Sequence, residues 1–337
     1  MIVKVKKNAS QDSIDRLLNH LKDAGFDIHP SIGHNTTLYG VVGDTAQYDA
    51  RKLDAFECVD NVVRIQTPYK QVSRSIHPED SIVDVSGVAV GGNNVVMMAG
   101  PCAIESREQL DRIAKAVKAS GATILRGGAF KPRTSPYSYQ GMGEEGLKLL
   151  QEMGIKYGMP VVSELMDAKD LPLFEQYVDL IQIGARNMQN FSLLTALGKA
   201  TKPILLKRGF SNTIEEWLMS AEYIYAGGNP NIILCERGIR TFEKATRSTL
   251  DVSSVPVVKG TSHLPVIVDP SHAAGKWELV EPLALAGIAA GADGLIIEVH
   301  DEPENAMSDG AQSLKPEKFD VTMEKSRLIA KAIQRSM

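Results

Sequence analysis

The chain is short of cysteine. Three stand among 337 residues (Cys58, Cys102, Cys235), an odd number with no CxxC spacing. That excludes a disulfide-stapled scaffold and predicts free thiols in a reducing, cytosolic setting. Long apolar runs are missing too. The longest uncharged stretch, Val85 to Ile104, is broken by Gly91, Gly92, Asn93, Asn94, Gly100 and Pro101, whereas a bilayer span needs ~20 predominantly apolar residues. The opening MIVKVKKNAS has neither an apolar core nor a small-residue cleavage site, so no signal peptide is expected. Nor is there a surplus of positive charge. Lys plus Arg is 37 against 41 for Asp plus Glu, a net charge of −4. Bulk charge therefore gives nucleic-acid binding no support, and any cationic site must be local. What is present is ordinary: 43% hydrophobic and 23% charged residues, enough for a full core. Disordered and collagen-like chains are excluded. At ~150 residues per domain the length suggests two domains, although an α/β barrel alone takes ~250.

Residues 1–66 read as a small separate unit. IVKVK alternates like a strand, Ser10 or Asp12 is placed to cap a helix over Ile14, Leu17, Leu18 and Leu21, and Gly25 ends it. FDIHPSI and TTLYGVV read as a hairpin joined by GHN, a short helix fits 46–55, and CVDNVVRI is a last strand. The order βαββαβ is the ferredoxin-like α+β pattern. Residues 67–81 read as a polar linker, and 82–92 as a hairpin closing the bottom of a larger C-terminal unit.

From Val95 one phrase repeats: an apolar run, a charged or ligand-type residue, then a helix. The runs are VVMMAGPC, ATILRGG, PVVSE, LIQIGAR, PILLKR, NIILCER, PVIVDPSH and GLIIEVH. Short apolar strands without alternation are what parallel strands buried on both faces look like. Helices fit 107–119, 144–156, 189–198, 213–226 and 278–290. Residues 82–337 are therefore expected to be a (β/α)8 TIM barrel, with a doubly wound sheet as the alternative.

Barrel chemistry sits where strands end. Two classes collect there. Arg126, Lys131, Arg133, Arg186, Lys207 and Arg237 are cations whose convergence implies a polyanionic ligand, phosphates with a carboxylate. Cys102, His272, Glu298 and Asp309 mix soft and hard donors, which suits Mn, Fe, Co or Zn better than Mg or Ca. Their spacing alone is a weak signal; the barrel placement raises it. KPRTSPYSYQG (131–141) is a proline-stiffened loop with two cations and two hydroxyls, able to grip a phosphate.

AGPCAIES (99–106), LRGGAFKPRTSPYSYQG (125–141), QIGARNMQN (182–190), LLKRG (205–209), CERGIRTFE (235–243), DPSH (269–272), EVH and SDGAQSL (308–314) occur in this order. Together they resemble the 3-deoxy-D-arabino-heptulosonate 7-phosphate (DAHP) synthases over about residues 82–333, most of all the short microbial subgroup with a ferredoxin-like N-terminal extension. The resemblance implies the condensation of phosphoenolpyruvate with erythrose 4-phosphate and water, releasing phosphate, the first step of the shikimate pathway to aromatic amino acids. It implies one divalent metal on Cys102, His272, Glu298 and Asp309. It places phosphoenolpyruvate on Arg126, Lys131, Arg186, Lys207 and Arg237, and the erythrose phosphate on Arg133, Thr134 and Ser135. Lys131 is the candidate proton donor; Glu164 and His300 are candidates for handling the water. The extension implies feedback inhibition by Tyr or Phe at a site lined by His29 and Ser31, in a homotetramer.

Three rival readings stand beside it. One is 3-deoxy-manno-octulosonate 8-phosphate synthase, against which the KPRTS loop argues. Another is a Schiff-base aldolase with Lys207 as nucleophile. The last is a non-catalytic amino-acid sensor, against which the intact cation and ligand sets argue.

Overall fold

The computed structural model describes the whole chain except residues 34–35, 44, 46–47, 64–67, 132–134 and 136, and it divides into two compact units. The first comprises Met1–Glu79 with Thr261–His263. Its sheet holds β1 (Ile2–Val5), β2 (Asp27–Ile32), β3 (Thr37–Val42) and β4 (Val59–Val63) in the order β2-β3-β1-β4, with every pairing antiparallel. Helix α1 (Gln11–Asp23) is capped by Ser10, whose hydroxyl accepts from the Ser13 amide at 3.3 Å. Its buried Leu17 and Leu21 pack with Val3, Val5, Tyr39 and Val41 of the sheet, so a 3–4 spacing meets a period of two on one core. Of the second helix expected over 46–55 the described residues form a 3-10 turn, Ala50–Ala55, while residues 46–47 lie outside them. Leu53 is its one fully buried side chain, and Tyr48, Ala50 and Phe56 pack against the same core.

The second unit is Asp80–Gly260 with Leu264–Met337. It opens with the antiparallel hairpin β5 (Val83–Val85) and β6 (Val88–Val90). Eight parallel strands then close into a barrel: β7 (Val96–Gly100), β8 (Ile124–Arg126), β9 (Val161–Glu164), β10 (Leu180–Ile183), β11 (Ile204–Lys207), β12 (Ile232–Glu236), β13 (Val266–Val268) and β14 (Gly294–Glu298). The helices read from sequence are present as α2 (Arg107–Ser120), α3 (Glu144–Tyr157), α5 (Phe191–Leu197), α6 (Ile214–Ala226) and α9 (Val280–Ala289). Four more complete the ring: α4 (Leu171–Tyr177), α7 (Ser254–Thr261), α8 (Pro270–Ala274) and α10 (Pro316–Ala332). Among the described residues no helix is long and apolar enough to cross a membrane.

Strand alternation positions the site. Val96, Met98, Ile124, Val162, Leu180, Leu205, Ile233, Cys235, Ile267 and Ile296 form one buried cluster with Val83, Val85 and Val90 of the hairpin. The hairpin therefore plugs the end at which the strands begin. Two residues further along a strand the same face recurs. Ile124 is followed on that face by Arg126, Val162 by Glu164, Leu180 by Gln182, Leu205 by Lys207, Cys235 by Arg237, Ile267 by Asp269 and Ile296 by Glu298. One interior is apolar at its base and charged at its mouth.

Candidate active site

Four ligand-type side chains meet at that mouth. Cys102 reaches it because β7 ends at Gly100 (φ +153°), where a side chain would stand 2.0 Å from the Arg126 carbonyl oxygen. Cys102 Sγ lies 3.3 Å from Asp309 Oδ2, and ligand atoms of Cys102, Glu298 and Asp309 all fall within 4.8 Å of one another. His272 Nε2 stands 3.4 Å from Glu298 Oε1. The His272 Nδ1 faces Asp269 Oδ2 at 2.7 Å, and its backbone amide donates to Asp269 Oδ1 at 2.9 Å, because Asp269 caps α8.

The electrostatics follow from burial. Burial lowers the His272 imidazole, despite the pull of Asp269 and Glu298. A neutral ring donating Nδ1–H to Asp269 turns the Nε2 lone pair toward Glu298. Burial would raise the Glu298 carboxyl, but the positive charges beside it, His272 when protonated and then Arg126 and Lys131, hold it low. The Cys102 thiol is pushed up to about 12, first by burial and then by the Glu298 charge. A thiol that donates to Asp309, a second carboxylate on Glu298 and an imidazole nitrogen facing it thus converge. That donor set fits a divalent cation of the transition series.

The cations close around it. Arg126 Nη1 meets Glu298 Oε1 at 2.7 Å, with both side chains buried. Arg126 Nε is buried without a hydrogen-bond partner among the described residues. Lys131 Nζ lies 2.9 Å from the Cys102 carbonyl oxygen and 3.0 Å from its sulfur. Burial would lower its ammonium, but the Cys102 and Glu298 charges carry it upward. Lys207 Nζ pairs with Asp269 Oδ2 at 2.5 Å. Arg237 donates to Ser248 Oγ at 3.0 Å and to the His272 carbonyl at 3.1 Å.

A cavity opens among these groups. Its lining includes Lys131, Glu164, Arg186, Lys207, Phe210, Arg237, Arg247, His272 and Asp309. Five of those are cations, in a chain of net charge −4. Glu164 takes a hydrogen bond from Gln182 Nε2 at 3.1 Å. Its carboxylate needs Gly184 beneath it, since a Cβ there would sit 2.0 Å from Glu164 Oε1.

Other candidate residues lie elsewhere. His300 does not line the cavity: its Nδ1 accepts from the Glu302 amide at 3.0 Å, and its Nε2 faces Gln109 at 3.1 Å. Ser135 is exposed, and its hydroxyl accepts from the Tyr137 amide at 3.3 Å. Arg133 and Thr134 lie outside the described residues. In the first unit Ser31 lines a hollow with Ile32, Thr36, His77 and Glu79, while His29 is exposed on the same strand and outside that lining. Not every charge at a strand end faces the cavity. Arg208 is buried against Glu236 (2.9 Å) and Asp251 (2.8 Å), which anchors the loop behind Arg237. All three cysteines are free and buried.

Three residues were not singled out from sequence. Arg247 joins the lining and bonds Asp309 and Gln312. Phe210 presents its ring to the guanidinium groups of Arg186, Arg237 and Arg240 at 5.8, 4.7 and 4.9 Å. Gln312 is buried against Glu298. The only sequence signal for them is their place inside motifs already quoted or just beyond them.

Comparison with known proteins agrees across both units. Residues 1–67 match the DAHP synthase ferredoxin-like domain. The phospho-2-dehydro-3-deoxyheptonate aldolase of Thermotoga maritima is 51% identical over 333 residues, covering 99% of this chain and 98% of its own. Its crystal structure superposes with a TM-score of 0.80 at 50% identity, over 99% of this chain and 98% of that one. A 2-dehydro-3-deoxyphosphooctonate aldolase of Syntrophobacter fumaroxidans is 31% identical, over 72% of this chain and 89% of its own. With residues 70–334 matching its family-wide pattern, this chain belongs to the DAHP synthetase I family.

Proposed function

We propose that the chain is a DAHP synthase, joining carbon 3 of phosphoenolpyruvate to the aldehyde of erythrose 4-phosphate, with water adding at carbon 2 and phosphate leaving. The observation that carries this reading is the cavity itself, where a divalent-cation donor set adjoins five cations. Arg126, Arg186, Lys207 and Arg237, with Lys131, hold the phosphate and carboxylate of phosphoenolpyruvate; a guanidinium grips such groups with two parallel bonds. The unpartnered Arg126 Nε is a donor ready for one of those oxygens. Cys102, His272, Glu298 and Asp309 would hold a divalent metal (Mn, Fe, Co or Zn), which supplies Lewis acidity toward the aldehyde oxygen. Lys131 delivers the proton to the oxygen that was the aldehyde. We assign the water to Glu164 rather than to His300, because Glu164 lines the cavity and His300 does not. The cations set two mutually repelling phosphorylated substrates side by side, so orientation is a large part of the rate. Arg133, Thr134 and Ser135 receive the phosphate of the aldose.

A phosphate-release assay tests this. Release is expected with phosphoenolpyruvate plus erythrose 4-phosphate, and its loss with chelator. Turnover of arabinose 5-phosphate in preference would instead place the chain with the octulosonate relatives. Release that survives chelation would remove the metal from the reading, and borohydride trapping would then identify a Lys207 Schiff base.

The first unit is the regulatory part of this proposal. It matches a domain described with DAHP synthases, and Ser31 lines a hollow there. Tyr or Phe binding at His29 and Ser31, in a homotetramer, is expected to inhibit. Deleting residues 1–66 should then leave phosphate release intact and abolish inhibition. Inhibition that persists in the truncated chain refutes this role.

A further inference from the structure

We infer that Gln312 is a positioning residue for Glu298, with its amide locked in one orientation by Arg247. This role rests on the proposed metal site and brings in residues that the proposed function does not use.

Gln312 ends the short 3-10 turn Gly310–Gln312 and is 2% exposed. Its Nε2 donates to Glu298 Oε2 at 2.6 Å. Its Oε1 accepts from Arg247 Nη1 at 2.8 Å, and the same Nη1 reaches Asp309 Oδ1 at 3.3 Å. An arginine only donates and an ionised carboxylate only accepts. An amide between them therefore has one satisfactory orientation: oxygen toward Arg247, nitrogen toward Glu298. Flipping it would set acceptor against acceptor on one side and donor against donor on the other.

The consequence falls on Glu298. Its Oε2 is tied to the amide, while its Oε1 faces Arg126 Nη1 at 2.7 Å and His272 Nε2 at 3.4 Å. Gln312 thus divides the labour of the two oxygens, leaving Oε1 to the donor set. Arg247 ties two of the four ligand-type groups together, Asp309 directly and Glu298 through the amide. Asp309 itself has φ +53°, a backbone conformation uncommon for residues other than glycine. The Arg247 bond helps to hold its carboxylate inward from that conformation.

The test loads the full-length chain with cobalt(II) alone. Affinity is read by competition with a coloured chelator, and geometry by the visible absorption of the bound ion. Gln312→Met keeps length but removes both polar ends. It is expected to weaken cobalt binding by about 10–100-fold, the usual effect of losing a partner behind a ligand, and to shift the visible bands. Arg247→Met should change the bands in the same direction by less, and Arg247→Lys should recover part of the change, since its ammonium also only donates but lacks the guanidinium's fork. A loss of fold alone would lower Tm without altering the spectrum of the ion that remains bound. Should Gln312→Met fail to fold, the Arg247 pair carries the same test through a partly exposed side chain. Wild-type affinity and spectrum in Gln312→Met, or in Arg247→Met where it must stand in, overturn the positioning role. A wild-type chain that takes up no cobalt overturns the metal reading itself, and the positioning role with it.

Discussion

Lys131→Met is expected to lower kcat by about 10²–10⁴-fold, the range for losing a positioned general acid. Methionine matches the length of the lysine stem, so packing is kept while the ammonium is lost. Lys131 Nζ lies 2.9 Å from the Cys102 carbonyl and 3.0 Å from its sulfur, beside the place where the aldehyde oxygen must lie if the metal polarises it. A lysine ammonium is a proton donor at neutral pH by default. The KM for phosphoenolpyruvate should rise as well, because one of the five cavity cations is gone. Single-turnover rates at saturating substrate separate the two effects. A kcat within threefold of wild type would remove Lys131 from proton transfer and leave it a binding group.

Lys207→Met is expected to cost stability as well as affinity. Lys207 and Asp269 are an interior ion pair at 2.5 Å, with side chains 4% and 1% exposed. Removing one member of such a pair leaves a buried charge without its counter-ion, at about 3–5 kcal/mol. For a barrel of this size that corresponds to a Tm lower by roughly 10 °C. Asp269 retains its contacts with His272, so the cost falls toward the low end of the range. Lys207→Met/Asp269→Leu should recover only part of it, because Asp269 also caps α8 and orients His272. Thermal unfolding measures both variants. A single-variant Tm within 3 °C of wild type would show that Asp269 is compensated by other groups.

These two lysines show how much a sequence discloses. All eight barrel strands are legible because burial on both faces leaves short apolar runs, and a charged or ligand-type residue follows each run. Lys207 is found that way, and Lys131 by the loop that follows β8. Their partners are not: Cys102 lies 29 positions from Lys131, and Asp269 lies 62 from Lys207. Pairing of β7 with β8 brings Cys102 to Lys131, and pairing of β11 and β13 with β12 brings Asp269 to Lys207. Helix α10 escapes a periodicity reading because its buried face includes Thr322, Ser326 and Ala330 beside Phe319 and Met323. Helix α4 has seven residues, one of them buried, too few for a stripe. Arg247 and Gln312 sit in loops, where no period announces an inward side chain. The first unit shows a partial match. Of the 46–55 segment the described residues form a 3-10 turn over Ala50–Ala55, with Leu53 buried and Tyr48 and Ala50 packed on the same core.

The β5–β6 hairpin has a kinetic corollary. Strand side chains fill the cylinder and the hairpin seals the end at which they begin, so the cavity at its mouth is a blind well. Two reactants sharing such a well cannot pass each other at its floor. Whichever seats deeper is then expected to arrive before its companion and to depart after the shallower product has cleared, an order set by depth.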